Sequence, residues 1–164
     1  MFSLTYYSFD PRDKIRQKIG TKKDYNNDDV DEYVLEITHN HRDYDIPILM
    51  PDETRSEAAY TMPYIEMVLI TAPARVHNVQ GDVREKQAYM DFNIWYTNID
   101  YISACSFGRH IADKLVDSIM TQRHSVTSVT WMEVLNDGRE LLEEGDGRQS
   151  YFHRVVEVYA NNWT

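Results

Sequence analysis

The fold is decided by the stretch Lys86-Gln-Ala-Tyr-Met-Asp-Phe-Asn-Ile-Trp-Tyr96 and by the segment that follows it. Every second residue from Ala88 to Tyr96 is apolar, which is typical of a strand with one buried face. After Tyr101 the apolar residues recur every three or four positions on one helical face, and they are Ala104, Phe107, Ile111, Leu115 and Ile119. A strand followed by an amphipathic helix that packs on it predicts an α+β layer.

Further elements are predicted from the same patterns. Strands are expected at Tyr33–Thr38, at Tyr64–Thr71 (buried on both sides towards its end), at Ser128–Leu135 and at Tyr151–Ala160. The long helix is expected over 103–122. Pro11, with Asp10 as its N-cap, predicts a short helix that ends near Gly20.

Turn and loop residues divide these elements. Gln80-Gly-Asp82 is expected to form a hairpin tip, and Asn136-Asp-Gly138 and 143–148 are expected to form turns. The acidic stretch 24–32 predicts a solvated loop, and 45–60, which holds two prolines, is expected to be irregular.

We therefore predict a single α+β domain. Its centre is a twisted, mostly antiparallel sheet of about four or five strands, packed by one long and one short helix. Residues 1–63 form an N-terminal segment with the short helix, the acidic loop and a strand, and 64–164 form the strand–hairpin–helix–strand–strand core unit.

Composition restricts the classes of function. The chain of 164 residues has a net charge of −10, with 27 acidic against 17 basic residues, and this balance disfavours nucleic-acid binding. The nearest approach to a basic stripe is Lys14-Ile-Arg-Gln-Lys18. We expect no membrane span, because no run of 18 apolar residues occurs. The lack of a signal-peptide pattern and the single Cys105, expected to be a small buried thiol, favour synthesis in the cytoplasm.

The sequence contains one weak candidate for a metal site. His39 and His41 would share one strand face, with Asp43 or Asp45 as a third metal ligand, but a closed ligand set is not visible. The calcium-loop spacing that begins at Asp24 fails, since its sixth position is not Gly and its twelfth is not Glu. We expect no catalytic residue, cofactor or metal, and a small metal-dependent α+β enzyme remains the alternative of a different class.

Aromatic residues favour an interface. Tyr89 and Trp95 lie on the strand face opposite Phe92 and Ile94, and Trp131 and Trp163 flank the last two strands. Tyr and Trp are enriched in protein interfaces, so these four residues predict a contact between subunits. The competing interpretation is that a second helix covers them.

The order of elements resembles the tail terminator, or tail completion, proteins that join head and tail in long-tailed phages and archaeal tailed viruses. The resemblance is carried by Met90–Tyr96, by the apolar face from Ala104 to Ile119, and by Tyr151-Phe-His-Arg-Val-Val-Glu-Val158. It covers about residues 64 to 163 and concerns structure more than a sequence fingerprint.

The resemblance implies a structural virion protein in the tail or neck. Such a protein forms a homo-oligomer, a hexameric ring, which binds the tail tube protein and the connector or adaptor proteins of the neck. DNA passes through the ring without specific binding. Another neck or head-completion ring protein is the nearest alternative. An acidic channel repels phosphate, so we expect Glu143, Glu144 and Asp146, or residues 24–32, to face the channel or an adjacent ring.

Overall fold

A computed structural model describes residues 9–23, 32–54, 63–71, 74–76, 84–97, 101–144 and 150–163. The helices in these ranges are α1 (Arg12–Ile19), α2 (Pro51–Thr54) and α3 (Tyr101–Thr121). The strands are β1 (Thr21–Lys23), β2 (Glu32–His39), β3 (Arg42–Leu49), β4 (Tyr64–Thr71), β5 (Ala74–Val76), β6 (Arg84–Thr97), β7 (Trp131–Glu144) and β8 (Ser150–Trp163).

The sheet dominates the fold. Among the described residues its order is β1-β2-β3-β4-β6-β8-β7, and β5 pairs with the beginning of β6. Every pairing is antiparallel except a short parallel contact of Ile48 with Ile65 and of Leu49 with Glu66. The predicted α+β class and mostly antiparallel sheet are confirmed, whereas the predicted number of four or five strands was too low.

The β6–α3 unit forms as the apolar spacing predicts. Ala88, Met90, Phe92, Ile94 and Tyr96 are all buried on one side of β6. The helix contributes Ala104, Ile111, Leu115 and Ile119 to the same core, and Phe107 is half-buried against it. Burying a side chain of this size stabilises the fold by about 1.5–3 kcal/mol, so this layer holds much of the stability.

The N-terminal elements share that core. Ile15 of α1 and Leu35 and Ile37 of β2 belong to the same buried cluster as the β6–α3 layer. The helix α1 begins after Pro11 and ends before Gly20, as expected. The predicted N-cap is wrong, because Pro11 and not Asp10 takes this position. A carboxylate oxygen of Asp10 still accepts the backbone N–H of Arg12 at 3.2 Å.

Part of the segment predicted to be irregular is strand and part is helix. Residues 45–49 belong to β3, and 51–54 form α2, although 45–60 was expected to be irregular. Pro47 is tolerated in β3 because the pairing with β4 starts only at Ile48, so no N–H is needed on that side. The hairpin between β2 and β3 turns through Asn40 and His41, both with positive φ, as a two-residue turn requires.

Asn136-Asp-Gly138 does not reverse the chain, contrary to the prediction. It lies inside β7, which pairs with β8 before and after it. Leu135 and Gly138 are each an extra residue in the ladder, so this part of β7 contains two β-bulges. Gly138 has φ +115, and the side chain of Asn136 accepts its N–H at 3.1 Å. The turn-forming residues therefore build a bulge, because β8 supplies a continuous partner.

A third bulge lies in β4. Leu69 pairs with Met90 and Thr71 with Tyr89, which leaves Ile70 as the extra residue. The expectation that this end of the strand is buried on both sides is wrong, since 57% of Ile70 is exposed. The Gln80–Asp82 hairpin tip lies outside the described residues, as does most of the acidic stretch 24–32, of which only Glu32 is described as the start of β2.

Candidate interaction surface

The sheet has a second face, opposite α3, which we call the open face. It is formed by the side chains that alternate with the buried ones on β4, β6, β7 and β8, together with the bulge residues. At the end where β6 begins and β8 ends, its members Glu85, Gln87 and Asn161 are buried. The half-buried or exposed members include Tyr64, Glu66, Val68, Ile70, Tyr89, Asp91, Asn93, Trp95, Glu133, Leu135, Arg139, His153, Val155, Glu157 and Tyr159.

The centre of the open face is apolar. Ile70 and Leu135 are 57% and 51% exposed, and each is the extra residue of its bulge. They line a depression of about 370 Å³ together with Thr71, Tyr89, Asp91 and Glu157. Ile70 continues the outward alternation of Glu66 and Val68, and Leu135 continues that of Glu133, so two large apolar groups point away from the core.

Two carboxylates lie in the same depression. Asp91 on β6 pairs directly with Glu157 on β8, an arrangement of like charges that destabilises a sheet. Burial, and then the charge of Glu157, raise the pKa of the Asp91 carboxyl above its ordinary value. The depression therefore combines exposed apolar surface with two negative charges, and neither member of the Asp91–Glu157 pair neutralises the other.

The four aromatic residues predicted to form a subunit contact have different surroundings. Trp95 stacks on His153 with ring centroids 4.0 Å apart and an interplanar angle of 4°, and Tyr89 meets Tyr159 at 5.1 Å. Both side chains are thus partly buried by contacts within the chain. Trp131 is half-buried against Arg123, and Trp163 is 45% exposed at the end of β8. Their role as a contact between subunits stays a prediction.

The predicted channel-facing residues are only partly described. Glu143 and Glu144 were expected in a glycine-rich loop, but they form the last two positions of β7 and pair with Tyr151 and Ser150. Asp146 lies outside the described residues. The strand continues here because β8 begins at Ser150, so the backbone of both glutamates is fixed by the ladder.

The proposed metal ligands near the β2–β3 hairpin do not converge. The ring of His39 lies 5.1 Å from that of Phe107 and 5.4 Å from that of His110, on the α3 side of the sheet. Asp43 accepts a hydrogen bond from Thr38 at 2.7 Å and pairs with it, one position away from His39 and therefore on the other face. Within the described ranges no three His, Cys, Asp or Glu side chains are grouped as metal ligands.

A polar network lies between α3 and the sheet, and the sequence patterns did not reveal it. Glu140 accepts hydrogen bonds from the hydroxyl of Tyr96, from Nη2 of Arg154 at 3.2 Å and from Sγ of Cys105 at 3.4 Å. Arg154 also donates to the carbonyl of the bulge residue Gly138 at 3.2 Å. Cys105 is half-buried rather than buried, and its environment is this network.

The network has a structural role that its geometry explains. Arg154 is only 8% exposed, and Glu140 supplies the opposite charge that such a buried guanidinium requires. Burial, together with the hydrogen bond to Glu140, strongly raises the pKa of the Tyr96 hydroxyl, so this group stays a hydrogen-bond donor at neutral pH. The signal available in the sequence was an arginine at an inward-facing position of β8.

A second polar cluster lies where β6 begins and β8 ends. The hydroxyl of Tyr159 donates to Glu85, and the amide of Asn161 donates to the same carboxylate at 3.0 Å. Burial, and then this hydrogen bond, raise the pKa of the Tyr159 hydroxyl. The cluster fixes one end of the open face.

Comparison with protein-family models and with curated proteins found no match. In the part of the chain that the structure describes, no helix is long and apolar enough to cross a membrane.

Proposed function

We propose that this chain is a structural virion protein, a tail terminator that forms a ring, caps the tail tube and joins it to the capsid connector. The observation that carries the proposal is the open face. It presents Ile70 and Leu135 to solvent beside the carboxylates of Asp91 and Glu157. A sheet face of this kind is suited to contact with another protein, because accessible apolar groups gain stability when a partner covers them.

The charge of the chain supports the same role. A net charge of −10 keeps a ring from holding on to DNA that must pass through it. Glu143 and Glu144, fixed at the end of β7, are the described residues that we assign to the channel or to an adjacent ring.

The metal-dependent enzyme has less support. Its ligand set needed His39 near Asp43 or Asp45, and these side chains lie on opposite faces of the hairpin. Another ring protein of the same neck would use similar surfaces, and only the partner distinguishes it from a terminator.

The test begins with the mass of the purified protein in solution, where a ring of six subunits has six times the 19.4 kDa of one chain. Electron microscopy of that species should reveal a closed ring with a central channel. Purified tail tube protein should then polymerise to shorter tubes, each with one ring at its end, when this protein is added. Tubes that grow to the same length and carry no ring would refute the terminator, and binding to the connector alone would favour a head-completion ring.

A further inference from the structure

The depression in the open face selects the chemistry of its partner. It has apolar walls, Ile70 and Leu135, and two carboxylates, Asp91 and Glu157. Lysine matches both parts, because its four-carbon stem packs on apolar groups while the ammonium ion reaches the charge. The partner that fits this depression therefore presents a lysine side chain from a helix or a strand.

The chain itself carries such lysines on α1. Lys14 and Lys18 are exposed, and their spacing of four places both on one helical face. The other two α1 cations are held within the chain, Arg12 by Asp10 at 2.7 Å and Arg16 by Asp13 at 2.8 Å. Lys14 and Lys18, which we call the basic helix face, make no ion pair with any residue that the structure describes.

Other exposed cations fit less well. Lys114 on α3 lies next to Asp113, which pairs with Arg109 at 3.2 Å, and three residues before Asp117, and both carboxylates are exposed. Those carboxylates would be brought against the carboxylates of the open face, and like charges at an interface suppress association. The basic helix face carries no exposed carboxylate except Asp13, which Arg16 partly neutralises.

The two surfaces cannot meet inside one subunit. Ile15 of α1 is buried in the core cluster with α3, so α1 lies on the helical side of the sheet, whereas the open face is on the other side. A contact between them must join two copies in a head-to-tail manner. Repeated contacts of this type form a ring when the rotation closes.

We propose that the open face of one subunit binds the basic helix face of its neighbour, with Lys14 and Lys18 against Asp91 and Glu157 and their stems against Ile70 and Leu135. The contact rests on the proposed ring and specifies which surfaces form it. A neighbouring ammonium ion would also lower the pKa of the Asp91 carboxyl again, by offsetting the burial and the like charge that raise it.

Charge reversal tests the contact. Glu157→Lys alters only the open face, and Lys14→Glu/Lys18→Glu alters only the basic helix face. Each should weaken association at least about ten-fold per contact, as measured by sedimentation at several protein concentrations. All of these side chains are exposed, so circular dichroism should confirm unchanged folding. Asp117→Lys and Arg109→Glu/Lys114→Glu make the same changes of charge on the exposed side of α3 and should leave association unchanged.

Mixing the two defective variants gives the decisive result. A Glu157→Lys subunit has a normal basic helix face, and its reversed open face is complementary to the reversed helix of the other variant. The mixture should therefore form rings in which the variants alternate, although each alone stays dissociated.

Failure of this inference is distinct from failure of the proposed function. Rings that survive both reversals, or two dissociated variants that do not assemble on mixing, would overturn the contact and leave the ring intact. A wild-type chain that is monomeric at every concentration would also overturn the contact, while termination of tail tubes still tests the function.

Discussion

The close approach of α3 to β6 at Gly108 provides a sharp test of the packing. Gly108 faces Tyr96, and a Cβ placed on Gly108 would lie 2.2 Å from Cζ and 2.6 Å from the hydroxyl oxygen of that ring. Tyr96 is 1% exposed, stacks on Phe152 with centroids 5.5 Å apart and donates its hydroxyl to Glu140. The ring has no free space to move into, so Gly108→Ala must displace it.

Three contributions decide the size of the effect. Alanine in a helix interior is favoured over glycine by about 1 kcal/mol. Overpacking a well-filled core costs about 1–3 kcal/mol, and losing a hydrogen bond to a charged group costs about 1.5–3 kcal/mol. We expect Gly108→Ala to lower the free energy of unfolding by roughly 3 kcal/mol, because displacement of Tyr96 outweighs the helix propensity.

Urea unfolding followed by fluorescence measures this change, at one protein concentration for all variants because assembly raises apparent stability. Ser106→Ala, on the exposed side of α3, is the control and should stay within about 0.5 kcal/mol of wild type. In a Tyr96→Leu background the added methyl group has room, so Gly108→Ala should become neutral or stabilising. A Gly108→Ala protein as stable as wild type would refute the close packing of α3 on β6.

Three further predictions concern charged groups. In the dissociated chain, studied at low protein concentration, Asp91→Asn should be more stable than wild type at pH 7 by less than about 1 kcal/mol, because the raised folded-state pKa of Asp91 means that stability is lost as pH rises through it. Unfolding at pH 7 and below about pH 3.9 measures this advantage, which should vanish at the lower pH because the carboxyl is then protonated in both states. Glu140→Gln leaves the guanidinium of Arg154 buried without its carboxylate and should cost roughly 3 kcal/mol in urea unfolding, and a loss below about 1 kcal/mol would contradict the network. Glu143→Lys/Glu144→Lys should slow DNA ejection from virus particles while rings still assemble, and unchanged ejection would remove these residues from the channel.

The sequence predicted the elements in which the spacing of apolar residues stays regular over many residues. β6 alternates from Ala88 to Tyr96 and α3 keeps one apolar face from Ala104 to Ile119, so most of the buried residues of these two stretches follow from the sequence. β3 was not predicted because proline is normally excluded from the interior of a sheet. Pro47 is compatible with the strand only because β4 begins to pair at Ile48, which the sequence does not indicate.

The bulges of β7 could not be predicted from the two-residue spacing of its inward-facing side chains. Met132 and Val134 lie on the core side of β7, and two extra residues later Glu140 faces Arg154, again on the core side. Because the two extra residues preserve even spacing, the strand appears regular in sequence except for a turn signal at Asn136–Gly138. Ile70 and Leu135 follow the outward alternation of β4 and β7, but the spacing does not tell whether an outward apolar side chain is covered or exposed, so the predicted interface contains aromatic residues alone.

The same bulges bear on how copies of the chain can meet without aggregating. β7 is the last strand in the sheet order, and an unprotected edge strand recruits strands from other molecules. Two bulges interrupt its regular hydrogen-bonding pattern, and at the opposite edge β1 has only three residues. Both edges are thus poor templates for adding a strand. Subunits at high concentration therefore do not readily add strands to each other's sheets. They associate through the faces of the sheet instead.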